Sequence, residues 1–367
     1  MGVLSVVLAM LIFGFMITIH ELGHFLVAKA CRVKINEFAI GMGPKLIGKK
    51  SKRSGTLYSL RILPIGGYVS MEGENEVSDA EGSFSKKPAW QKLLISLAGP
   101  AMNILLGFVL TFILVIGMRD ADGIKLASTR ISGFSNNAIS VESGLLADDI
   151  VTKVGNVSVH TGTELVYEIS MQGDTAKEIY RQIDGKNVLS KVVELDLTVI
   201  RGGDTVLLKN VMFYADTSSG IVTMGEVDFG VYAETASFGN IMKHTFFRSL
   251  SSVKMIWDNI IGLFTGRFGI EAMSGPIGTT EAIATVAQEG WYTLLYFVTI
   301  ITMNLGVFNL LPVLPLDGGH NLFHIYELIM RKPVPKKVET ALQVFGVILM
   351  FGLILIVSIK DIIGLFS

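Results

Sequence analysis

The chain has 367 residues, half of them hydrophobic and 17% charged, with a formal net charge of −1. So apolar a composition argues for a membrane protein, and the near-zero charge offers nucleic acid no electrostatic footprint. The lone cysteine, Cys31, excludes an intramolecular disulfide, so any domain outside the cytoplasm must stand on core packing.

Residues 1–30 read as a first transmembrane helix. No Lys or Arg precedes the apolar run Val3 to Ile19 and no small-x-small site closes it, which argues against a signal peptide. The run continues through His20-Glu21-Leu22-Gly23-His24 into Phe25, Leu26, Val27 and Ala28, reaching the ~20 residues that a span needs. Residues four apart share a helix face, so His20 and His24 can hold one metal ion, and Glu21 beside them can take a proton from water. Two imidazoles and a carboxylate suit Zn2+ and leave one position open. Ionisable groups are costly inside a span, which favours function over chance.

Residues 31–92 read as a cytoplasmic loop, following Lys29 and carrying Arg32, Lys34, Lys45, Lys49, Lys50, Lys52 and Arg53. Within it, Leu57 to Met71 combines a strand-like run with a Gly66-Gly67 turn. It is either a plain hairpin or an edge that pairs with an extended peptide. Residues 93–118 form the second span. Ala98 and Gly99 are small enough to let it approach the first, and the Asn103 amide can bond either a substrate backbone or a neighbouring helix.

Residues 119–235 read as a small α+β domain. Strand-like runs (Val188 to Ile200, Val206 to Tyr214) alternate with turns such as Asp184-Gly185 and Gly202-Gly203-Asp204. In residues 236–290, apolar side chains recur at helical spacing from Phe238 to Phe264. That is an amphipathic helix at the membrane surface, or one packed on the soluble domain. His160 and His244 have no metal spacing.

Residues 291–322 give the third span, closed by a run from Asn309 through Pro312 and Pro315 to Asp317-Gly318-Gly319. The prolines break the helix, and the glycines permit a turn that aims Asp317 inward as a third ligand. The alternative leaves Asp317 solvated at a helix terminus. Asn309 is a second candidate for supporting substrate or an oxyanion. His320 and His324 could pair on another metal, but no glutamate lies between them. Glu327 lies toward Arg331, Lys332, Lys336 and Lys337 and is expected to be dispensable. Residues 338–360 form the fourth span. The positive-inside rule then puts both basic loops in the cytoplasm, with both termini and 119–235 on the other side.

HELGH at 20–24 and the NxxPxxxLDGG run from Asn309 resemble the two metal motifs of the site-2 protease family of intramembrane zinc metalloproteases. Gly99-Pro100-Ala101-Met102-Asn103 is similar to its GPxxN segment and Ser274-Gly275-Pro276 to its SGP segment. Gly41 to Leu46 and Arg61 to Tyr68 are similar to its stretch after the first helix. The resemblance covers essentially the whole chain and is strongest to the bacterial regulator-of-sigma-factor type with a single PDZ domain. One departure is Leu314 at a usual proline position, the proline falling at Pro315. Gly144 to Val151 is similar to the PDZ run G-L-x-x-G-D-x-I, with Asp148 at its second glycine.

The resemblance implies a multi-pass α-helical membrane protein of about four spans with an inserted α+β PDZ-like extracytoplasmic domain. It implies a bacterial inner-membrane enzyme, with zinc held by His20, His24 and Asp317 and with Glu21 as catalytic base. The substrates it implies are single-span membrane proteins already trimmed outside the cytoplasm, such as anti-sigma factors, or signal-peptide remnants, cut within the lipid bilayer. The rivals are a non-enzymatic scaffold that recruits partners through the PDZ-like domain and a metal transporter using the same three side chains.

Overall fold

The computed structural model describes residues 3–364 except 75, 77, 121–122, 173–175, 184–185, 217–223, 268 and 270–272. The expected Asp184-Gly185 turn lies outside the described residues. The helices are α1 (Val3–Ala30), α2 (Ala89–Gly117), α3 (Gly162–Met171), α4 (Phe238–Thr265), α5 (Pro276–Glu289), α6 (Trp291–Asn309), α7 (Asp317–Met330) and α8 (Lys336–Gly364). Among the described residues, four of them (α1, α2, α6 and α8) are long and apolar enough to cross a membrane. The chain divides into two units, one of Met1–Leu110 with Met273–Ser367 and one of Thr111–Ala272.

In the first unit, β1 (Ile35–Lys50) pairs with β2 (Leu57–Met71), and each strand bends so that its two halves take different neighbours. Ile40 pairs with Gly67 on one side and Leu60 on the other, while Lys45 pairs with Arg61. Gly41 and Gly43 supply the bend in β1 with φ of 84° and 82°, values that cost other residues strain. Arg61 and Ser59 both donate to Glu37 Oε1, at 2.9 and 2.6 Å. Burial works against the Glu37 charge, but donors from Ser59, Tyr68 and Arg61 outweigh it and hold the carboxyl below its usual range.

Gly66 and Gly67 are not a turn between strands; both lie inside β2. Gly66 bends the strand with φ of 80°, and a Cβ on Gly67 would come within 2.7 Å of the Ala39 carbonyl oxygen of β1. Phe25, Ala28, Val33, Ile35, Phe38, Met71 and Ile95 form the buried cluster that joins α1, both strands and α2.

The third apolar segment also differs from expectation. α6 stops at Asn309, and Asp317 opens a separate helix, α7, where a carboxylate suits the positive end of the helix dipole. Gly318 and Gly319 serve close packing here, without a left-handed backbone. A Cβ on Gly318 would lie 2.2 Å from the Leu311 oxygen, and one on Gly319 2.6 Å from the Leu314 nitrogen. The run 310–316 folds back over the first turn of α7. Segment 236–290 is likewise two helices, with α4 in the inserted unit and α5 in the first. Asp361 of α8 caps α5, accepting from the Gly275 and Gly278 N–H groups at 2.9 Å each.

The second unit is built on an eight-stranded sheet with α3 packed on it. Its main path runs Met224–Glu226, Asp204–Asp216, Lys186–Arg201, Ile150–Val154, Leu126–Phe134 and Phe229–Glu234. Ile131, Leu145, Val151, Leu165, Ile169, Leu197 and Phe213 form its buried core. Thr161 and Glu164 make a reciprocal capping box at the start of α3. α4 packs on α3 through the Tyr167 hydroxyl, which donates to Asp258 Oδ2 at 2.8 Å, and through Lys254, 3.0 Å from Glu168. α4 thus packs on this unit while Phe246, Leu250, Ile261 and Phe264 stay exposed.

Candidate metal centre

One face of α1 presents His20 and His24 side by side, both buried, with their Nε2 atoms 3.2 Å apart. Asp317 Oδ2, from the first position of α7, lies 3.0 Å from His20 Nε2 and 3.4 Å from His24 Nε2. The three side chains come from opposite ends of the chain and converge on one point.

The ring tautomers follow from their other contacts. His24 Nδ1 meets the Ile95 carbonyl oxygen at 2.7 Å. A carbonyl only accepts, so Nδ1 carries the proton and the Nε2 lone pair of the neutral ring faces Asp317. His20 Nδ1 lies 3.3 Å from Asn103 Nδ2, while Asn103 Oδ1 is buried without a partner. Turning this amide over lets Oδ1 accept the His20 Nδ1 proton. Asn103 is fully buried and so faces His20 and not open space.

The set fits a zinc ion on two counts. Asp317 Oδ2 is buried and has no hydrogen-bond donor, a costly state for a carboxylate unless a cation meets it. Opposite the histidines, α2 leaves a cradle at Gly99, where a Cβ would sit 2.3 Å from His24 Nε2 and 2.7 Å from His20 Nε2. Two nitrogens and one oxygen with a fourth side kept clear are the donor set of an open zinc site.

Glu21 does not join the three. Its Oε2 accepts the Val69 N–H of β2 at 3.0 Å. Val69 is paired with Phe38 on its other side, so this N–H belongs to the strand edge facing α1. Asn309 is half-buried at the last residue of α6. His320 and His324 stand apart, their rings edge-on to Phe323 and Phe84. His160 stacks on Phe247 at 4.0 Å and His244 lies 3.3 Å from Glu234. Among the described residues, His20, His24 and Asp317 are the group of three able to hold a metal.

A model of peptidase family M50 matches residues 8–353. The chain belongs to this family. M50 peptidases are the site-2 proteases, and the chain is a membrane zinc metalloprotease. Among its relatives, a Clostridium acetobutylicum protein that carries a zinc metalloprotease name is 32% identical over 99% of this chain and 98% of its own. A Fusobacterium nucleatum protein with a similar name is 31% identical over 99% and 100%. The Bacillus subtilis regulator of sigma-W protease RasP is 26% identical over the full length of both chains.

Sequence reasoning passed over how far α2 organises this M50 site. Lys92, Ser96, Gly99 and Asn103 follow helical spacing and face α7 or α1 in turn. Ser96 Oγ donates to the Asp317 carbonyl at 3.2 Å, and Lys92 pairs with Glu327 at 3.0 Å. Glu327 is thus not a free surface acid. The signal was legible as a polar and small-residue stripe within an apolar span.

Proposed function

We propose that this protein cuts single-span membrane proteins within the bilayer, with His20, His24 and Asp317 as zinc ligands and Glu21 as general base. The convergence of two imidazole Nε2 atoms and an unsatisfied carboxylate oxygen opposite Gly99 carries this reading. Zinc, when bound, acidifies water to a pKa of about 7 and polarises a carbonyl oxygen.

The chain's own residues do the rest. Glu21 takes the proton of the attacking water on Oε1, since the Val69 N–H occupies Oε2. It then returns that proton to the leaving amine. Asn103 and the Ile95 carbonyl orient His20 and His24. Asn309 supports the developing oxyanion or the substrate backbone. An intact helix hides its carbonyls, so the substrate unwinds and adds as a strand to an edge of the segment Leu57 to Met71.

The inserted unit reads as a PDZ-like extracytoplasmic domain that filters or docks substrates already trimmed on that side. Asp148 supports this: it stands at a glycine position of the PDZ run and has φ of 70°. The basic loops favour a cytoplasmic side for β1 and β2 and an outer side for both termini. The RasP relative is named a regulator of sigma-W protease, which fits the anti-sigma-factor substrates that the family resemblance implies.

The test compares membrane peptides in cells expressing wild type or Glu21→Gln. Single-span proteins shortened outside the membrane should accumulate with Glu21→Gln and disappear with wild type. Identical peptide profiles would contradict the assignment.

A further inference from the structure

α7 begins with Asp317, and α2 grips it at two points. Ser96 holds the Asp317 carbonyl. About three turns further along α7, both Glu327 carboxylate oxygens accept from the Lys92 ammonium, at 3.0 and 3.1 Å. The pair is well shielded, with side-chain exposures of 11% for Lys92 and 23% for Glu327.

A shielded ion pair is a weak source of stability. Stripping water from both charges costs about what their attraction returns, and well-packed apolar residues of similar volume are often as good or better. Its best-attested use is to fix register, because sliding either partner away leaves a buried charge alone. Here register matters at the other end of the helix. The face of α2 that binds Glu327 also carries Gly99 and Asn103 against the histidines. A shift of α7 along α2 therefore moves Asp317 relative to both imidazoles.

We propose that Lys92 and Glu327 form a positioning clamp that sets the register of α7 on α2 and holds Asp317 in line with His20 and His24. This rests on Asp317 being a zinc ligand. Neither clamp residue touches the reacting atoms.

The test uses the purified full-length chain, with zinc affinity measured by chelator competition and the visible spectrum of the Co2+-loaded protein as a probe of ligand geometry. Lys92→Met with Glu327→Leu should fold with a melting temperature near wild type. Its zinc affinity should fall about 10–100-fold, the usual cost of losing an outer-shell partner, and the Co2+ spectrum should change. The swap Lys92→Glu with Glu327→Lys should bind zinc more tightly than Glu327→Lys alone. Wild-type zinc affinity and spectrum in the apolar double variant overturn the clamp. If that variant does not fold, the swap decides: affinity no better than Glu327→Lys alone overturns it. Asp317→Asn separates the two levels. Unchanged affinity there removes the ligand assignment and the clamp with it. Loss there, with wild-type affinity in the apolar double, removes the clamp alone.

Discussion

Gly99 faces His24 across a gap that accepts no side chain: a Cβ on Gly99 would stand 2.3 Å from His24 Nε2. Gly99→Ala should therefore push the imidazole out of line and lower zinc affinity by about 10–100-fold. Alanine favours a helix over glycine by about 1 kcal/mol, while overpacking costs about 1–3 kcal/mol, so the variant's melt is measured beside its zinc affinity. Chelator competition beside a thermal melt checks both halves, and wild-type affinity in Gly99→Ala would show that the cradle is incidental.

Asn103 separates two roles for a buried amide. As the partner of His20, its replacement by Ala leaves a ring N–H unpaired at a cost of about 1–3 kcal/mol and weakens zinc. Asn103→Asp, which keeps an acceptor, should retain more metal than Asn103→Ala. A raised KM with full zinc content in Asn103→Ala would instead make Asn103 a substrate contact.

Glu21→Gln should keep its zinc. The amide oxygen still accepts the Val69 N–H, but no proton acceptor remains. The loss in kcat should reach about 100–10,000-fold, the range for a general base. Metal analysis and a cleavage assay on one preparation test this, and full activity would exclude Glu21 as base.

Asp148 sits at φ 70° with its carboxylate 2.7 Å from Arg130. Both side chains are exposed, and such pairs contribute roughly 0–1 kcal/mol. Glycine relieves backbone strain there, so Asp148→Gly should leave the melting temperature of the purified chain unchanged or slightly raised. Asp148→Val should cost about 1–2 kcal/mol of stability and lower the melting temperature accordingly, since a β-branched residue resists this conformation. Equal melts for Gly and Val would contradict the backbone argument.

Much of this architecture could be read from the sequence. The four apolar segments reappear as α1, α2, α6 and α8, because hydropathy and length alone decide whether a segment can span. His20 and His24 were legible because helical spacing fixes their common face. Asp317 stands out by its charge and the helix-breaking residues around it, but its placement at the start of α7 depends on the packing of 310–316 against Gly318 and Gly319. The strand position of Gly66 and Gly67 was hidden, since it rests on their packing against Ala39 and Ile40 of β1, a pairing between segments far apart in sequence. The partnership of Lys92 with Glu327 was missed for the same reason. Local pattern ranks an acid near a basic loop as solvated, and only tertiary structure brings α2 to α7.

The claim that joins these observations is that Asp317 completes a zinc site with His20 and His24. Zinc content of purified Asp317→Asn tests it most directly, because the amide keeps the shape and removes the charge. The account predicts that zinc bound to wild type is lost from this variant. Equal zinc in both proteins would take Asp317 out of the site.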